Sequence, residues 1–258
     1  MMLVTSILTH LPHDFWQMTS PSIHPSIGPS IDLRLAINDL AISREGGLLI
    51  QGLNLELKAG QVLFLRGANG SGKTTLLRAL AKLIPLHHGQ YAINGVPHTA
   101  DHAALMRQLL LVGHRNAGVE HLNVISSLRL MASLMNIEAS PEKIPEKIPE
   151  QIRKKIMTSL DALGIKPLAE RQISHLSAGQ QRRLALARLM LAADMTHRLW
   201  LIDEPFNALD DDAARRLCDI ITSYCSQGGS AVISGHGTMP LTPDMTLTLG
   251  TSPSGELS

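Results

Sequence analysis

The most constraining stretch of the sequence is Gly67-Ala68-Asn69-Gly70-Ser71-Gly72-Lys73-Thr74, which fits the pattern G-x-x-x-x-G-K-[ST] without a gap. Each residue type has a physical reason. The glycines let successive backbone N–H groups turn inward and form a concave anion site. A helix opening near Lys73 adds the positive end of its dipole. The Lys73 ammonium is a point charge for β- and γ-phosphates, and the Thr74 hydroxyl is an oxygen ligand for Mg²⁺, a hard cation. Chance places such a pattern in roughly one chain of this length in a hundred, so its surroundings decide. Residues 62–65 (Val-Leu-Phe-Leu) read as a short apolar strand before it, and residues 74–83 as a helix stopped by Pro85. The predicted triphosphate cradle is therefore Gly67 through Thr74, with Thr75 in the first helical turn.

A second apolar strand-like run, residues 199–202, ends in Asp203-Glu204, 130 residues past Lys73. A carboxylate at a strand tip beside the phosphate loop suits Asp203 for holding Mg²⁺, usually through water. Glu204, one residue on, is placed to polarise an attacking water as general base. Between these two motifs, Ser177 and Gln180 have the S-x-x-Q spacing of a capping box. A helix is predicted to begin there. The Ser177 hydroxyl and the free N–H groups near Gly179 are able to receive a γ-phosphate, and taken alone the pattern fits a mere helix cap equally well.

Other apolar runs at residues 109–112 and 230–233 alternate with helical patterns, which predicts an α/β fold with a mostly parallel sheet. Residues 32–42 and 53–57 read as further strands. Residues 121–163 read as largely helical, with apolar spacing at Leu128, Met131 and Met135. Residues 210–225 read as a helix with Ala213, Leu217, Ile220 and Tyr224 on one face, ended by Gly228-Gly229. Within 141–152 the unit Pro-Glu-Lys-Ile occurs twice in tandem and is followed by Pro149-Glu150-Gln151-Ile152. Proline every four residues forbids a regular helix there, so a surface loop is expected. Residues 1–30, with Pro12, Pro21, Pro25 and Pro29 among Ser and His, are expected to be a poorly ordered extension, and 251–258 a tail.

Composition narrows the function. The net charge of +1 argues against a nucleic-acid-coating protein, and 3% aromatics leaves few stacking platforms for single strands. The hydrophobic fraction of 44% against 17% charged excludes wholesale disorder. Cys218 and Cys225, seven residues apart, match neither a disulfide scaffold nor a zinc knuckle and are expected to be reduced. No run approaches the ~20 apolar residues of a membrane span. The first residues carry no basic n-region, so a cytosolic chain is expected.

Leu176-Ser177-Ala178-Gly179-Gln180 resembles the signature motif of the ATP-binding cassette (ABC) ATPases, with Gly179 24 residues before Asp203. The order of motifs agrees over about residues 31–249: cradle, signature, acidic strand, then Asn207-Ala208-Leu209-Asp210 resembling the D-loop. His236, 33 residues past Asp203, resembles the switch histidine. The resemblance implies a P-loop domain over 31–250 with an antiparallel β edge and an α-helical subdomain at about 116–185. It implies ATP and Mg²⁺ as ligands, with Lys73, Glu204 and His236 catalytic. It also implies a head-to-tail dimer in which Ser177, Gly179 and Gln180 of one copy close on the nucleotide of the other. Hydrolysis in such a dimer drives a membrane partner.

Leu-Ser-Ala-Gly-Gln-Gln-Arg-Arg and Gly113-His114 resemble one subfamily, the ATP-binding subunit of the haem exporter for cytochrome c maturation. That likeness implies polytopic membrane partners at the cytoplasmic face of a bacterial inner membrane. Two departures stand out. Arg115 occupies the position of a usual glutamine, and Arg cannot ligate a metal. The aromatic that normally stacks on adenine is missing near Ser43-Arg44, where the planar Arg44 guanidinium can lie over the base. The cassette of another exporter and a soluble non-transport assembly factor remain alternatives. A repair ATPase would need a coiled coil in the 102 residues between Thr75 and Ser177, too few for one.

Overall fold

The computed structural model describes residues 33–44, 46–113, 120–135 and 149–250, and the backbone of 256–257. The extension 1–30, residues 114–119 with His114 and Arg115, the repeat up to residue 148 and most of the 251–258 tail lie outside the described residues.

Two sheets organise the chain. The first is antiparallel, in the order β2 (Gly47–Lys58), β1 (Leu33–Arg44), β4 (His88–Ile93), β5 (Val96–Pro97). The antiparallel edge expected from the resemblance is thus a separate four-stranded sheet. The second sheet has the order β10 (Glu256–Leu257), β9 (Met245–Thr248), β3 (Val62–Arg66), β8 (Ser230–Gly235), β7 (Leu199–Ile202), β6 (Leu109–Val112). All its pairings are parallel except β10 with β9.

The parallel strands are buried on both faces, so they read as unbroken apolar runs. Their period of two still sorts the side chains. Trp200 and Ile202 of β7 and Ala231 and Ile233 of β8 join one core cluster with Leu217, Ile221 and Tyr224. Leu199, Leu201 and Val232 join the other with Leu65, Leu76, Leu77 and residues of β1 and β2. The first cluster packs the sheet against α3 (Val124–Leu134), α4 (Glu150–Ala162), α5 (Ala178–Leu191) and α6 (Asp211–Ser226). The second packs it against α1 (Lys73–Leu80) and the antiparallel sheet. Trp200 and Tyr224 stack at 3.6 Å between centroids, 5° from parallel. The Tyr224 hydroxyl donates to Arg198 O.

Several boundaries differ from the sequence expectation, each for a local reason. Helix α1 ends at Leu80 rather than at 83. Lys82 takes the left-handed conformation (φ 53), Leu83 N donates to Arg78 O at 2.9 Å and Lys82 N to Ala79 O at 2.9 Å. This is a Schellman ending, so the helix stops before Pro85 acts. The helical stretch 121–163 resolves into α3 and α4. Helix α3 starts after Asn123, whose side chain accepts from Ser126 N at 2.8 Å. Helix α6 starts after Asp210, which caps Ala213 N at 2.9 Å. Its expected face is buried: Ala213 and Leu217 are fully covered and Tyr224 nearly so. The short helix α2 (His102–Met106) and strands β4, β5, β9 and β10 were not anticipated.

Both cysteines of α6 are free thiols, Cys218 half-exposed and Cys225 buried. Burial pushes the Cys225 thiol up to about 12, with Asp244 adding to the effect. At pH 8 its thiolate fraction is therefore about one part in ten thousand. A disulfide reagent at pH 8 is expected to label Cys225 only as fast as the protein unfolds; rapid labelling of native protein contradicts this placement. Leu217→Ala opens a cavity under the central sheet and should lower the unfolding free energy by about 2–5 kcal/mol in urea titration.

Candidate active site

Strands β3, β7 and β8 run parallel, so their carboxyl ends meet at one edge of the sheet, where ligands of open α/β sheets bind. Each end delivers a predicted residue. The loop after β3 is the glycine-rich run, β7 ends at Asp203 and β8 is followed by His236.

The loop has the shape its glycines require. A Cβ on Gly67 would clash with Ser71 Oγ and lie 2.7 Å from Leu249 O, so no larger residue fits. Gly72, the N-cap of α1, sits at φ 103, and no side chain caps the helix. Helix α1 has no acidic residue in its first turn. The N–H groups of its opening residues Lys73, Thr74 and Thr75 are therefore left for an anion. Lys73 is 4% exposed. Its Nζ donates to Gly67 O at 2.8 Å and Ala68 O at 2.9 Å, and lies 3.9 Å from Glu204 Oε1. Ser71 Oγ is buried with no hydrogen-bond partner, a donor held ready inside the loop.

Asp203 is 2% exposed. Its carboxylate accepts from Thr74 Oγ1 at 2.9 and 3.1 Å and from Ser234 Oγ at 2.6 Å. Glu204 N donates to Ser234 Oγ at 2.9 Å, and Glu204 Oε2 accepts from Asn207 Nδ2 at 2.7 Å. A hydroxyl and a carboxylate within hydrogen-bond distance form a hard-oxygen set of two. That suits Mg²⁺, which takes one or two protein ligands and completes its shell with water and substrate phosphate. Among the described residues no three His, Cys, Asp or Glu side chains gather into an all-protein cage.

A cleft of about 490 Å³ holds Asn69, Gly70, Gly72, Lys73, Thr74 and Thr75 together with Glu204 and His236, and Arg44 forms part of its wall. An adjoining cleft of about 580 Å³ is lined by Gly67, Ala68, Ser71 and again His236. The structure thus brings together every predicted residue of the cradle, the acidic strand and the switch position. It does not bring Ser177, Gly179 and Gln180 to them. Those three line a separate cleft of about 440 Å³ with Arg183, Ala208 and Asp210. There the capping box is complete: Gln180 N donates to Ser177 Oγ at 3.3 Å, and Ser177 N to Gln180 Oε1 at 3.0 Å.

Two site residues escaped the sequence reading. Ser234 holds Asp203 and Glu204 together from the neighbouring strand; its only signal was a polar residue closing an apolar strand. Arg182, 4% exposed, donates from Nη2 to Asp203 O at 2.6 Å and from Nη1 to Gly113 O at 2.8 Å. Burial pulls its pKa below the ordinary guanidinium value, opposed by the nearby Asp203 and Glu204 carboxylates.

A model of the ABC transporter family matches residues 50–207. The cytochrome c biogenesis ATP-binding export protein CcmA of Pseudomonas putida KT2440 is 37% identical over 211 residues, 82% of this chain and 93% of that one. CcmA of Cupriavidus necator is 35% identical over 206 residues, 80% of this chain and 84% of that one. Among solved structures, a dimeric bacterial ABC transporter cassette superposes with a TM-score of 0.71 at 20% identity, covering 83% of this chain and 94% of that one. An ATP-binding cassette dimer in a post-hydrolysis state bound to ADP and Pi gives 0.70 at 20% identity over the same shares. The family model spans more than half of the sequence and the CcmA relatives are 35–37% identical over about four-fifths of it, so the chain belongs to the ABC transporter family.

Proposed function

We propose that this chain is an ATPase cassette that dimerises on ATP and powers the haem export complex of cytochrome c maturation. The observation that carries the reading is the shared cleft, in which the Lys73 ammonium lies 3.9 Å from the Glu204 carboxylate while Thr74 and Asp203 are hydrogen-bonded beside them. The 35–37% identity to CcmA proteins over about four-fifths of the chain supports the pathway.

The residues divide the chemistry as follows. The N–H groups of Gly67 through Thr75 cradle the phosphates, and Lys73 Nζ exchanges the carbonyls of Gly67 and Ala68 for phosphate oxygens. Thr74 Oγ1 and Asp203 are the residues to hold Mg²⁺, which when bound neutralises charge on the β- and γ-phosphate oxygens. Glu204 accepts the proton of the attacking water, with Asn207 fixing one of its oxygens. His236 and Arg44 both line the cleft, and in this reading His236 serves the γ-phosphate and Arg44 the base. Ser177, Gly179 and Gln180 bind the nucleotide of a second copy. Their separation from Lys73 within one chain supports this, because a two-fold partner joins the two clefts head to tail.

The domain reading is one cassette over 31–250, with residues 116–185 as its helical subdomain. No helix among the described residues is long and apolar enough to cross a membrane. Peripheral attachment at the cytoplasmic face of the inner membrane, through polytopic subunits, follows from this reading. Two of the exposed large apolar side chains, Leu83 and Leu134, flank a groove of about 360 Å³ whose lining includes Met106, Arg107, Leu110, Met135 and Arg198. An apolar groove edged with arginine favours a cytoplasmic loop that carries both leucine-like and acidic residues.

Glu204→Gln should keep ATP bound and lower kcat by roughly 10²- to 10⁴-fold, the usual contribution of a general base; unchanged turnover rejects the role of Glu204. Lys73→Ala should weaken ATP binding at least about tenfold by removing a buried charged hydrogen-bond donor. In cells lacking the native copy, the Lys73→Ala chain should fail to restore holo-cytochrome c. Normal holo-cytochrome c without this chain removes the pathway assignment while leaving the ATPase reading to the enzyme assays.

A further inference from the structure

The loop from Asp203 to Asp210 contains two non-glycine residues in the left-handed region, Glu204 at φ 48 and Ala208 at φ 63. Such backbone persists where its surroundings over-determine it, and it concentrates at functional sites. Helix α5 supplies those surroundings at three points. Arg182 holds Asp203 O at 2.6 Å and reaches Gly113 O, at the end of β6, at 2.8 Å. Arg183 Nη2 meets Asp210 Oδ2 at 2.5 Å. Between them a Cβ on Gly179 would lie only 3.1 Å from Ala208 O, so the first turn of α5 rests directly on the loop backbone.

We propose that Arg182 is a positioning residue, which pins the Asp203 carbonyl and so fixes the left-handed Glu204 backbone in register with the signature helix. A planar guanidinium can donate to two carbonyls from two different strand ends at once; a lysine ammonium is a single point charge on a flexible stem. Its hydrogen bonds go to two carbonyls while the Asp203 and Glu204 carboxylates lie nearby, and a buried cation is weak evidence for stabilisation of a core; what the two bonds fix is geometry. Ser177 opens the same helix five residues earlier. A shift of α5 when the partner copy's nucleotide engages Ser177 is therefore carried through Arg182 to the ends of β6 and β7. Arg182 acts through Asp203 and Glu204 and touches no substrate.

This inference rests on Glu204 as general base, so its test pairs turnover with a readout independent of turnover. In the full chain, Arg182→Gln and Arg182→Lys are compared with the parent for affinity toward a fluorescent ATP analogue, for kcat and KM, and for amide hydrogen exchange. Affinity and KM should stay within about twofold, because the cradle is untouched. For Arg182→Gln, kcat should fall about tenfold or more, the scale of losing a buried charged donor, with Arg182→Lys recovering part of the loss. Exchange at residues 204–209 should quicken about tenfold while β3 and β8 keep their protection. Unchanged kcat in Arg182→Gln overturns the proposal, as does faster exchange of β3 and β8 in step with the loop, which would mark a general packing role. A parent chain without ATPase activity would remove the reading of Glu204 alone, and loop exchange would still decide the role of Arg182.

Discussion

The Asp203 carboxylate is the point on which the site depends. It is almost wholly buried, and a buried carboxylate without partners is several kcal/mol less stable than one in water. Its acceptors are met by Thr74 from the first turn of α1 and by Ser234 from β8, while its own carbonyl is met by Arg182 from α5. Three elements that are distant in sequence are thereby fixed at the tip of β7. The phosphate loop, the glutamate and the strand leading to His236 share one edge because these bonds and the parallel register of β3, β8 and β7 agree.

The two faces of the cassette are separate in one chain yet mechanically joined. The cleft of Lys73 and Glu204 and the cleft of Ser177 and Gly179 have no lining residue in common. The connection runs through α5 and the loop that follows β7, with Arg182 and Arg183 on consecutive residues of the helix and Gly179 packed on Ala208. A helix is stiff over one or two turns, so a contact at its capped end is felt at its second turn. In the proposed dimer, such a link would carry binding between two copies to the residues proposed to do the chemistry.

Much of the fold was legible because its signals are local. The parallel strands are short apolar runs since both faces are covered, and α6 shows its buried face at helical spacing. The cradle was legible because its glycines, lysine and threonine are contiguous. What escaped depends on partners brought from afar. Nothing near Ser234 marks it as the ligand of Asp203, and nothing in an Arg-Arg pair separates the buried Arg182 from its half-exposed neighbour. The left-handed Lys82 that ends α1 carries no glycine to announce it. Strands β1 and β2 pair with shifts around residues 37–42, and Asp39 is left-handed there, so clean alternation is lost and only residues 53–57 of β2 stood out. The capping box of Ser177 and Gln180 was legible as a cap, and the role proposed for it toward a second copy came only from the resemblance.

The most direct test is sedimentation of the Glu204→Gln chain with and without saturating ATP. If each copy carries both halves of a nucleotide clamp, as proposed, ATP doubles the mass and Lys73→Ala on the same background leaves it single. A Glu204→Gln chain that binds ATP and keeps the same mass at every nucleotide concentration would contradict the shared-site dimer.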